Sequence, residues 1–168
     1  MLEIASGTGQ HAVSFAEAFP NLRIRPSDAN DEYLADIRIR RERAGLPNLL
    51  DPLVLDVHDP WANVEADAIV CINMIHIAPW SATSSLMENA ATALAEGAPL
   101  ALYGPYLRDD RPTERSNLAF HEDLRRRNPE WGLRRLENVV DVARQVGFGW
   151  PSVLEMPANN LFVTFRRD

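Results

Sequence analysis

A glycine-rich turn near the start of the chain has the residue types and the spacing of a ligand-binding loop. Residues 1–5 form an apolar run that predicts a strand, residues 6–9 read Ser-Gly-Thr-Gly, and residues 10–19 carry apolar side chains at helical spacing. Gly7 and Gly9 would let a ligand approach the backbone closely, and the free N–H groups of the following helix favour an anion such as a carboxylate. The spacing also fits the dinucleotide-binding pattern G-x-G-x-x-G/A, and an ordinary strand–helix turn is the remaining alternative.

Two aspartates accompany the next two predicted strands. Asp28 follows residues 22–26 and lies about 20 residues beyond the glycines, the distance at which a carboxylate accepts the hydroxyl groups of a ribose. Asp56 lies in the predicted strand 52–57, where its carboxylate can accept an adenine amino group while Val57 packs against the ring. At both positions, an aspartate that only forms a turn or caps a helix is the alternative.

Polar residues return abruptly after a fourth predicted strand, residues 67–72, which is almost entirely apolar. Asn73 and His76 lie just beyond its end. Because histidine titrates near neutral pH, His76 is a candidate general base for a substrate that must lose a proton. A histidine beside apolar residues is also common as a packing residue, and this alternative stays open.

Other kinds of site and partner are disfavoured. The remaining histidines (His11, His58 and His121) and the single Cys71 lack the spacing of metal ligands, so we expect no metal. The formal net charge of −7 argues against a nucleic-acid partner, because such proteins usually need a basic face. No apolar run could span a bilayer and one cysteine allows no disulfide, so we expect a soluble, cytoplasmic protein without a membrane partner.

The elements that must position these residues alternate between strands and helices. One further helix is predicted to begin at a cap at Asn30 or Asp31 and to stop at Gly45, and others are predicted at residues 81–94 with Ser81 as the cap, at 116–127 and at 136–146. Further strands are predicted at residues 99–103, 153–156 and 161–165. The alternation predicts one α/β domain with a mostly parallel sheet, and the short link between the last two strands predicts an antiparallel hairpin. In such sheets ligands bind beyond the carboxyl ends of the strands, where the candidate residues fall.

Short stretches along nearly the whole chain resemble a bacterial and eukaryotic family of methyltransferase-like proteins, the DUF938-type family, long described as having unknown function. They are residues 2–11, 26–28, 55–57, 73–80, 103–106, 116–117, 128–132 and 156–160. The resemblance implies a Rossmann-like class I methyltransferase fold, with a mostly parallel seven-stranded sheet, an antiparallel last strand and helices on both faces. It also implies S-adenosylmethionine as the cofactor.

Carried over by position, the resemblance gives each candidate residue a role. The residues that would line the methionine part of the cofactor are Glu3, Ala5, Gly7 and Gly9. Asp28 would hold the ribose, and Asp56 and Val57 would flank the adenine. The residues that would face the sulfonium are Asn73, Met74 and His76, of which Asn73 and His76 are the catalytic candidates. The residues expected on the substrate side, with loop capping as an equal alternative, are Tyr103, Tyr106, Asn117, Asn159 and Asn160.

Three functions from different classes fit these observations. Methyl transfer from S-adenosylmethionine to a small molecule is favoured, because the acidic chain and the single domain suit a small metabolite. A nicotinamide-dependent oxidoreductase shares the glycine spacing, but little chain remains for a second nucleotide-binding half. A methyltransferase-like binding or scaffold protein without catalysis is the third. Members of the family usually carry a segment before the first strand, so we expect this domain, residues 1–168, to lack it; the acceptor and the oligomeric state are not predicted.

Overall fold

The computed structural model describes residues 1–168 and contains one seven-stranded sheet. The strands are β1 (Leu2–Ile4), β2 (Arg25–Asp28), β3 (Leu53–Val54), β4 (Ile69–Ile72), β5 (Pro99–Pro105), β6 (Ser152–Met156) and β7 (Asn160–Arg166). Their order across the sheet is β3-β2-β1-β4-β5-β7-β6. β7 runs antiparallel to both of its neighbours, whereas the pairs among β1 to β5 are all parallel. The predicted mostly parallel sheet with an antiparallel last strand is therefore confirmed.

Five helices connect the strands. They are α1 (Gln10–Ala18), α2 (Asp31–Ala44), α3 (Trp80–Ala93), α4 (Arg115–Arg127) and α5 (Leu136–Gln145). The ends of α2 follow the sequence closely, because the Asn30 side chain accepts the Glu32 N–H at 2.8 Å and Gly45 closes the helix with φ 62°. The predicted cap of α3 is wrong: Ser81 lies inside the helix, which begins after Pro79 without a side-chain cap.

The second and third strands differ in extent from the sequence prediction. β2 begins at Arg25, because Leu22 is largely exposed and Ile24 makes only an isolated bridge to Leu49. The shift makes Asp28 the last residue of the strand. β3 has only two residues, Leu53 and Val54, so residues 55–57 belong to the loop that follows it.

The apolar core is unequal on the two faces of the sheet. Helices α3 and α5 contribute to one cluster of 25 buried residues, which includes Leu2 and Ile4 of β1 and the lone Cys71. On the side of α1, a separate cluster has four buried residues, which are Ala12, Ala16, Ile24 and Leu49. Helix α1 thus belongs to a smaller core cluster than α3 and α5 do. None of the helices combines the length and apolar composition that crossing a membrane requires.

Candidate functional site

The carboxyl ends of the parallel strands meet at one edge of the sheet. Ile4 at the end of β1 pairs with Cys71 of β4, and the Asn73 N–H after β4 donates to the Tyr103 carbonyl of β5 at 2.8 Å. On the other side of β1, the Leu55 N–H after β3 donates to the Asp28 carbonyl at the end of β2 at 3.0 Å. Segments that are far apart in the sequence therefore form one continuous edge, as the α/β topology predicts.

The glycine loop between β1 and α1 is built from three residues with left-handed backbone. Ala5, Gly7 and Gly9 have φ of 53°, 55° and 77°. At Gly9 a Cβ would lie 3.0 Å from Cγ1 of Ile37 in α2, whereas at Gly7 it would meet nothing within 4 Å. The helix that follows has no side-chain cap, so the N–H groups of its first turn are available to a ligand. The open space at Gly7 and the uncapped helix suit a ligand carboxylate.

Asp28 ties this loop to the end of β2. Its carboxylate accepts the Gly7 N–H at 2.9 Å through Oδ2 and the Asn30 N–H at 3.0 Å through Oδ1. The residue is 7% exposed. Asp28 thus has the turn-forming role left open by the sequence, and it also presents a carboxylate beside the glycine loop.

Glu3 is a buried carboxylate on the same face of the sheet as α1. It is 1% exposed, Oε1 lies 4.0 Å from Nδ1 of His11, and Oε2 has no hydrogen-bond partner. Burial raises the pKa of Glu3 from 4.5 to about 7; the charge of Asp28 adds to this rise and the nearby Ser6 hydroxyl, which donates to the Glu3 carbonyl, opposes it. A cationic group, such as an ammonium, is the kind of ligand that would satisfy Oε2 and restore the ionised form.

Asp56 and Val57 lie in the loop after β3. The Asp56 carboxylate accepts the His58 N–H at 2.9 Å, and its carbonyl accepts the indole N–H of Trp61 at 3.1 Å. Val57 is half-buried against the large core cluster. The structure thus shows a turn role for Asp56 and an apolar wall at Val57, and contact with an adenine stays a prediction for both.

The segment after β4 holds His76 as a neutral, oriented imidazole. Asn73 is left-handed with φ 60°, and Met74–His76 form a single 3-10 turn. Nδ1 of His76 accepts the Arg134 N–H at 3.4 Å, which leaves the proton on Nε2. Burial, together with the charge of Arg134, lowers the pKa of His76 from 6.5 to about 3. This arrangement suits a hydrogen-bond donor at Nε2, whereas the general-base role, which the sequence left open beside a packing role, would need a ring nitrogen with a free lone pair.

Gly104 is required by the close approach of this segment to β5. A Cβ at this position would lie 2.6 Å from Nε2 of His76 and 2.9 Å from Oδ1 of Asn73. Nε2 is buried and has no hydrogen-bond partner. The side chains of Asn73 and His76, the two catalytic candidates, thus both lie against Gly104, where there is no room for a side chain.

Arg134, which no sequence motif indicated, holds this segment in place, and His121 holds the chain next to Arg134. The Arg134 guanidinium donates from Nε to the Ile75 carbonyl at 2.8 Å, donates to the Ala78 carbonyl, and lies 5.7 Å from the ring of Trp80. Nδ1 of His121, from α4, accepts the Leu133 N–H at 3.1 Å. Both residues are distant from residues 73–78 in the sequence and belong to no motif, so no local pattern could have indicated them.

A cavity of about 130 Å³ opens beyond His76, between α4 and the β6–β7 turn. Four of the five residues expected on the substrate side line it, and these are Tyr106, Asn117, Asn159 and Asn160. The Tyr106 ring packs edge-on against His76 with 5.0 Å between centroids, and its hydroxyl is buried without a partner. Tyr103 does not line this cavity, because it lies half-buried within β5 opposite Phe162 of β7.

The turn that closes this cavity has a strained backbone. Ala158 and Asn159 are consecutive residues with φ of 58° each, and the Asn117 side-chain amide donates to the Asn159 carbonyl at 3.2 Å. Left-handed conformations at non-glycine residues cost energy and are concentrated at ligand-binding segments. Asn117 therefore orders the turn, which is the loop-capping alternative, while also facing the cavity.

The fold is similar to that of several solved methyltransferases. The S-adenosylmethionine-dependent methyltransferase SibL is 20% identical with a TM-score of 0.83 over 99% of this chain and 49% of that chain. An O-methyltransferase family protein from Burkholderia thailandensis is 15% identical with a TM-score of 0.87 over 99% and 50%. Human N-acetylserotonin methyltransferase in complex with S-adenosylmethionine is 17% identical with a TM-score of 0.83 over 99% and 47%. The chain spans about half the length of these proteins.

At these identities the likeness shows the fold, and that fold is the Rossmann-like class I methyltransferase fold expected from the sequence. The sequence profile of a family described as "Protein of unknown function (DUF938)" matches residues 1–167, which is all but one residue of the chain. The chain therefore belongs to the DUF938 family and has a class I methyltransferase fold.

Proposed function

We propose that this protein binds S-adenosylmethionine and transfers its methyl group to a small-molecule acceptor. The observation that carries the proposal is the pairing of the left-handed glycine loop with the buried carboxylates of Glu3 and Asp28 at the sheet edge. The N–H donors of the loop would suit the carboxylate of an amino acid, and the two carboxylates would suit its ammonium group and the hydroxyl groups of a nucleoside.

Each polar part of the cofactor has a partner in this arrangement. The uncapped N-terminus of α1 would receive the carboxylate of the methionine, and Oε2 of Glu3 would accept from its ammonium group. Asp28 would accept from the ribose hydroxyls, and the loop with Asp56 and Val57 would flank the adenine. The sulfonium supplies the leaving group when bound, so the protein has mainly to align the acceptor and exclude water.

His76 and Asn73 would contribute by orienting the acceptor. The Nε2 proton of His76 faces the end of β5 beside Oδ1 of Asn73, so the pair offers one donor and one acceptor at the same place. Human N-acetylserotonin methyltransferase and the mitomycin 7-O-methyltransferase MmcR, both of similar fold, are named for small molecules. Together with the acidic composition, this supports a small molecule over a nucleic acid as the acceptor.

Isothermal titration calorimetry tests the cofactor directly. We expect S-adenosylmethionine and S-adenosylhomocysteine to bind, and NADH to give no heat. Asp28→Asn removes the ribose-accepting charge and should abolish the binding, whereas Asp123→Asn, on the exposed side of α4, should bind as the natural protein does. Tight binding of NADH with no response to S-adenosylhomocysteine would instead indicate an oxidoreductase.

A non-catalytic binding protein is the second candidate, and the neutral His76 is the observation that favours it. The pKa of His76 lies near 3, and Nδ1 already accepts a hydrogen bond from the Arg134 N–H, so this ring does not take up a proton at neutral pH. Acceptors that need proton removal would then react only if they ionise readily by themselves. Cofactor binding without release of S-adenosylhomocysteine from a broad panel of phenols, amines and thiols would favour this candidate.

A further inference from the structure

The cavity beyond His76 has a polar wall that is rich in hydrogen-bond donors. Only three of its twelve lining residues are hydrophobic. Besides the side chains already described, it is lined by Arg108, Arg111 and Thr113 from the loop after β5 and by Glu155 from β6. A wall of this kind selects a polar group of the ligand rather than an apolar one.

Tyr106 provides a donor without a partner. Its side chain is 4% exposed and its hydroxyl makes no hydrogen bond. Burial raises the pKa of this phenol, so the group stays protonated and can donate at all ordinary pH values. A buried hydroxyl that is left unpaired destabilises the protein, and an oxygen atom of a ligand would remove that cost.

Arg108 and Arg111 share two carboxylates at the mouth of the cavity, those of Glu155 and Asp110. Glu155 Oε1 lies 2.6 Å from Nη1 of Arg111 and 3.5 Å from Nη1 of Arg108. The other side of the Arg108 guanidinium is held by Asp110 through two hydrogen bonds of 2.8 and 2.6 Å. The Glu155 side chain is 65% exposed, and exposed ion pairs of this kind are weak because water screens them. Glu155 is thus a partner that a ligand anion could replace.

We propose that this cavity binds a carboxylate group of the acceptor, which takes the place of Glu155 between Arg108 and Arg111 and accepts a hydrogen bond from Tyr106. Guanidinium groups match carboxylates in geometry as well as charge. A cationic ligand would find only Glu155 and Glu114 there, and Glu155 is already held by both arginines. The edge-on contact between Tyr106 and His76 connects the carboxylate site to the segment after β4.

That the carboxylate belongs to a methyl acceptor rests on the proposed function, but the carboxylate site itself can be tested without the cofactor. The protein is titrated with matched pairs of increasing size, namely acetate and acetamide, propionate and propionamide, and benzoate and benzamide. Ionic strength is held constant, and backbone amide shifts of residues 106–117 and 155–161 are followed by NMR. We expect at least one carboxylate to shift these signals saturably while its amide does not.

Three variants decide whether the arginines are responsible. Arg111→Gln should weaken binding of that carboxylate severalfold. Glu155→Gln should strengthen it by up to about fivefold, because exposed pairs of this kind compete by at most that much. Arg126→Gln, which removes an exposed arginine of α4 paired with Asp123, is the matched control and should leave the binding unchanged.

The results separate this inference from the proposed function. Equal binding of carboxylates and amides, no carboxylate binding at all, or equal losses in Arg111→Gln and Arg126→Gln would each overturn the carboxylate site. Failure to bind S-adenosylmethionine in the calorimetric experiment would overturn the methyltransferase proposal, while the carboxylate titration would still be decided by its own controls.

Discussion

Glu3→Gln should make the protein more stable at neutral pH, because burial disfavours the ionised carboxylate that Glu3 carries at this pH in the unfolded chain. Burial raises the pKa of Glu3 from 4.5 to about 7 in the folded protein. At about 1.4 kcal/mol for each tenfold change in proton affinity, this corresponds to roughly 3 kcal/mol. The folded state binds the proton more tightly than the unfolded state, so the stability is fully present below pH 4.5 and is lost as pH rises through 7. The glutamine has no such loss.

The assay is urea unfolding of both proteins between pH 4.5 and 8, with the difference in the free energy of unfolding plotted against pH. The difference should be near zero at the acidic end and grow to about 3 kcal/mol in favour of the variant at pH 8. Glu96→Gln, at an exposed position after α3, is the control and should show no such trend. A Glu3→Gln difference that stays constant across this pH range would refute the reasoning.

Proton release on cofactor binding is a second measurement that reports on the Glu3 carboxylate. If the ammonium group of S-adenosylmethionine pairs with Oε2 of Glu3, binding favours the ionised form and releases a proton near pH 6.5. Calorimetry in two buffers of different ionisation enthalpy measures that release. We expect it in the natural protein and not in Glu3→Gln; equal proton release in both would place the ammonium elsewhere.

The remaining predictions concern the segments around His76 and the β6–β7 turn. Gly104→Ala should destabilise the protein by about 1–3 kcal/mol in urea unfolding, because the added Cβ meets Nε2 of His76 at 2.6 Å. Gly97→Ala meets nothing within 4 Å and measures only the cost of placing an alanine at a left-handed φ, here 77°, so a loss in Gly104→Ala no larger than in Gly97→Ala would argue against the clash. The pKa of His76 is lowered from 6.5 to about 3, so the contribution of His76 to stability is present above pH 6.5 and is lost as pH falls. A His76→Gln variant should therefore lose less stability than the protein with His76 between pH 6.5 and 4. Both are compared in a Glu3→Gln background, because Glu3 has the opposite pH dependence in this range, and parallel curves of unfolding free energy against pH would contradict the assignment. Asn117→Ala should cost about 1 kcal/mol and speed amide exchange in residues 157–160, and unchanged exchange would show that its bond to Asn159 is not needed to order the turn.

The alternation of strands and helices along the chain, and the polar residues that follow the strands, could be predicted from the sequence because local patterns specify them. Apolar runs and turn residues indicated each strand, although β2 ends two residues later and β3 three residues earlier than predicted. The topology of α/β sheets then explains why residues as distant as Asp28 and Gly7 lie together. The cap of α3 was mispredicted since Pro79, with its restricted φ, begins that helix where Ser81 was expected to do so.

The parts of the site that were not predicted depend on contacts between distant segments. Nothing in the sequence around His76 shows that the Arg134 N–H will occupy Nδ1, and that bond decides which nitrogen carries the proton. Likewise, Arg108 and Arg111 are ordinary arginines of a polar loop until Glu155 of β6 is brought next to them. The tautomer of a histidine and the sharing of an ion pair are thus set by the folded chain, and neither produces a pattern in the local sequence.

Because the two core clusters differ in size, the two parts of the sheet edge should differ in local stability. The glycine loop leads into α1, whose buried residues Ala12 and Ala16 belong to the cluster of four, whereas Met74 and Ile75 beside His76 belong to the cluster of 25. Regions with little buried apolar surface open locally at a lower free energy than the whole domain. Amide hydrogens of α1 should therefore exchange with solvent sooner than those of α3 and α5, and a ligand that binds the glycine loop should slow exchange in α1 most. Occupancy of the site could then be followed by hydrogen exchange alone, before any acceptor has been identified.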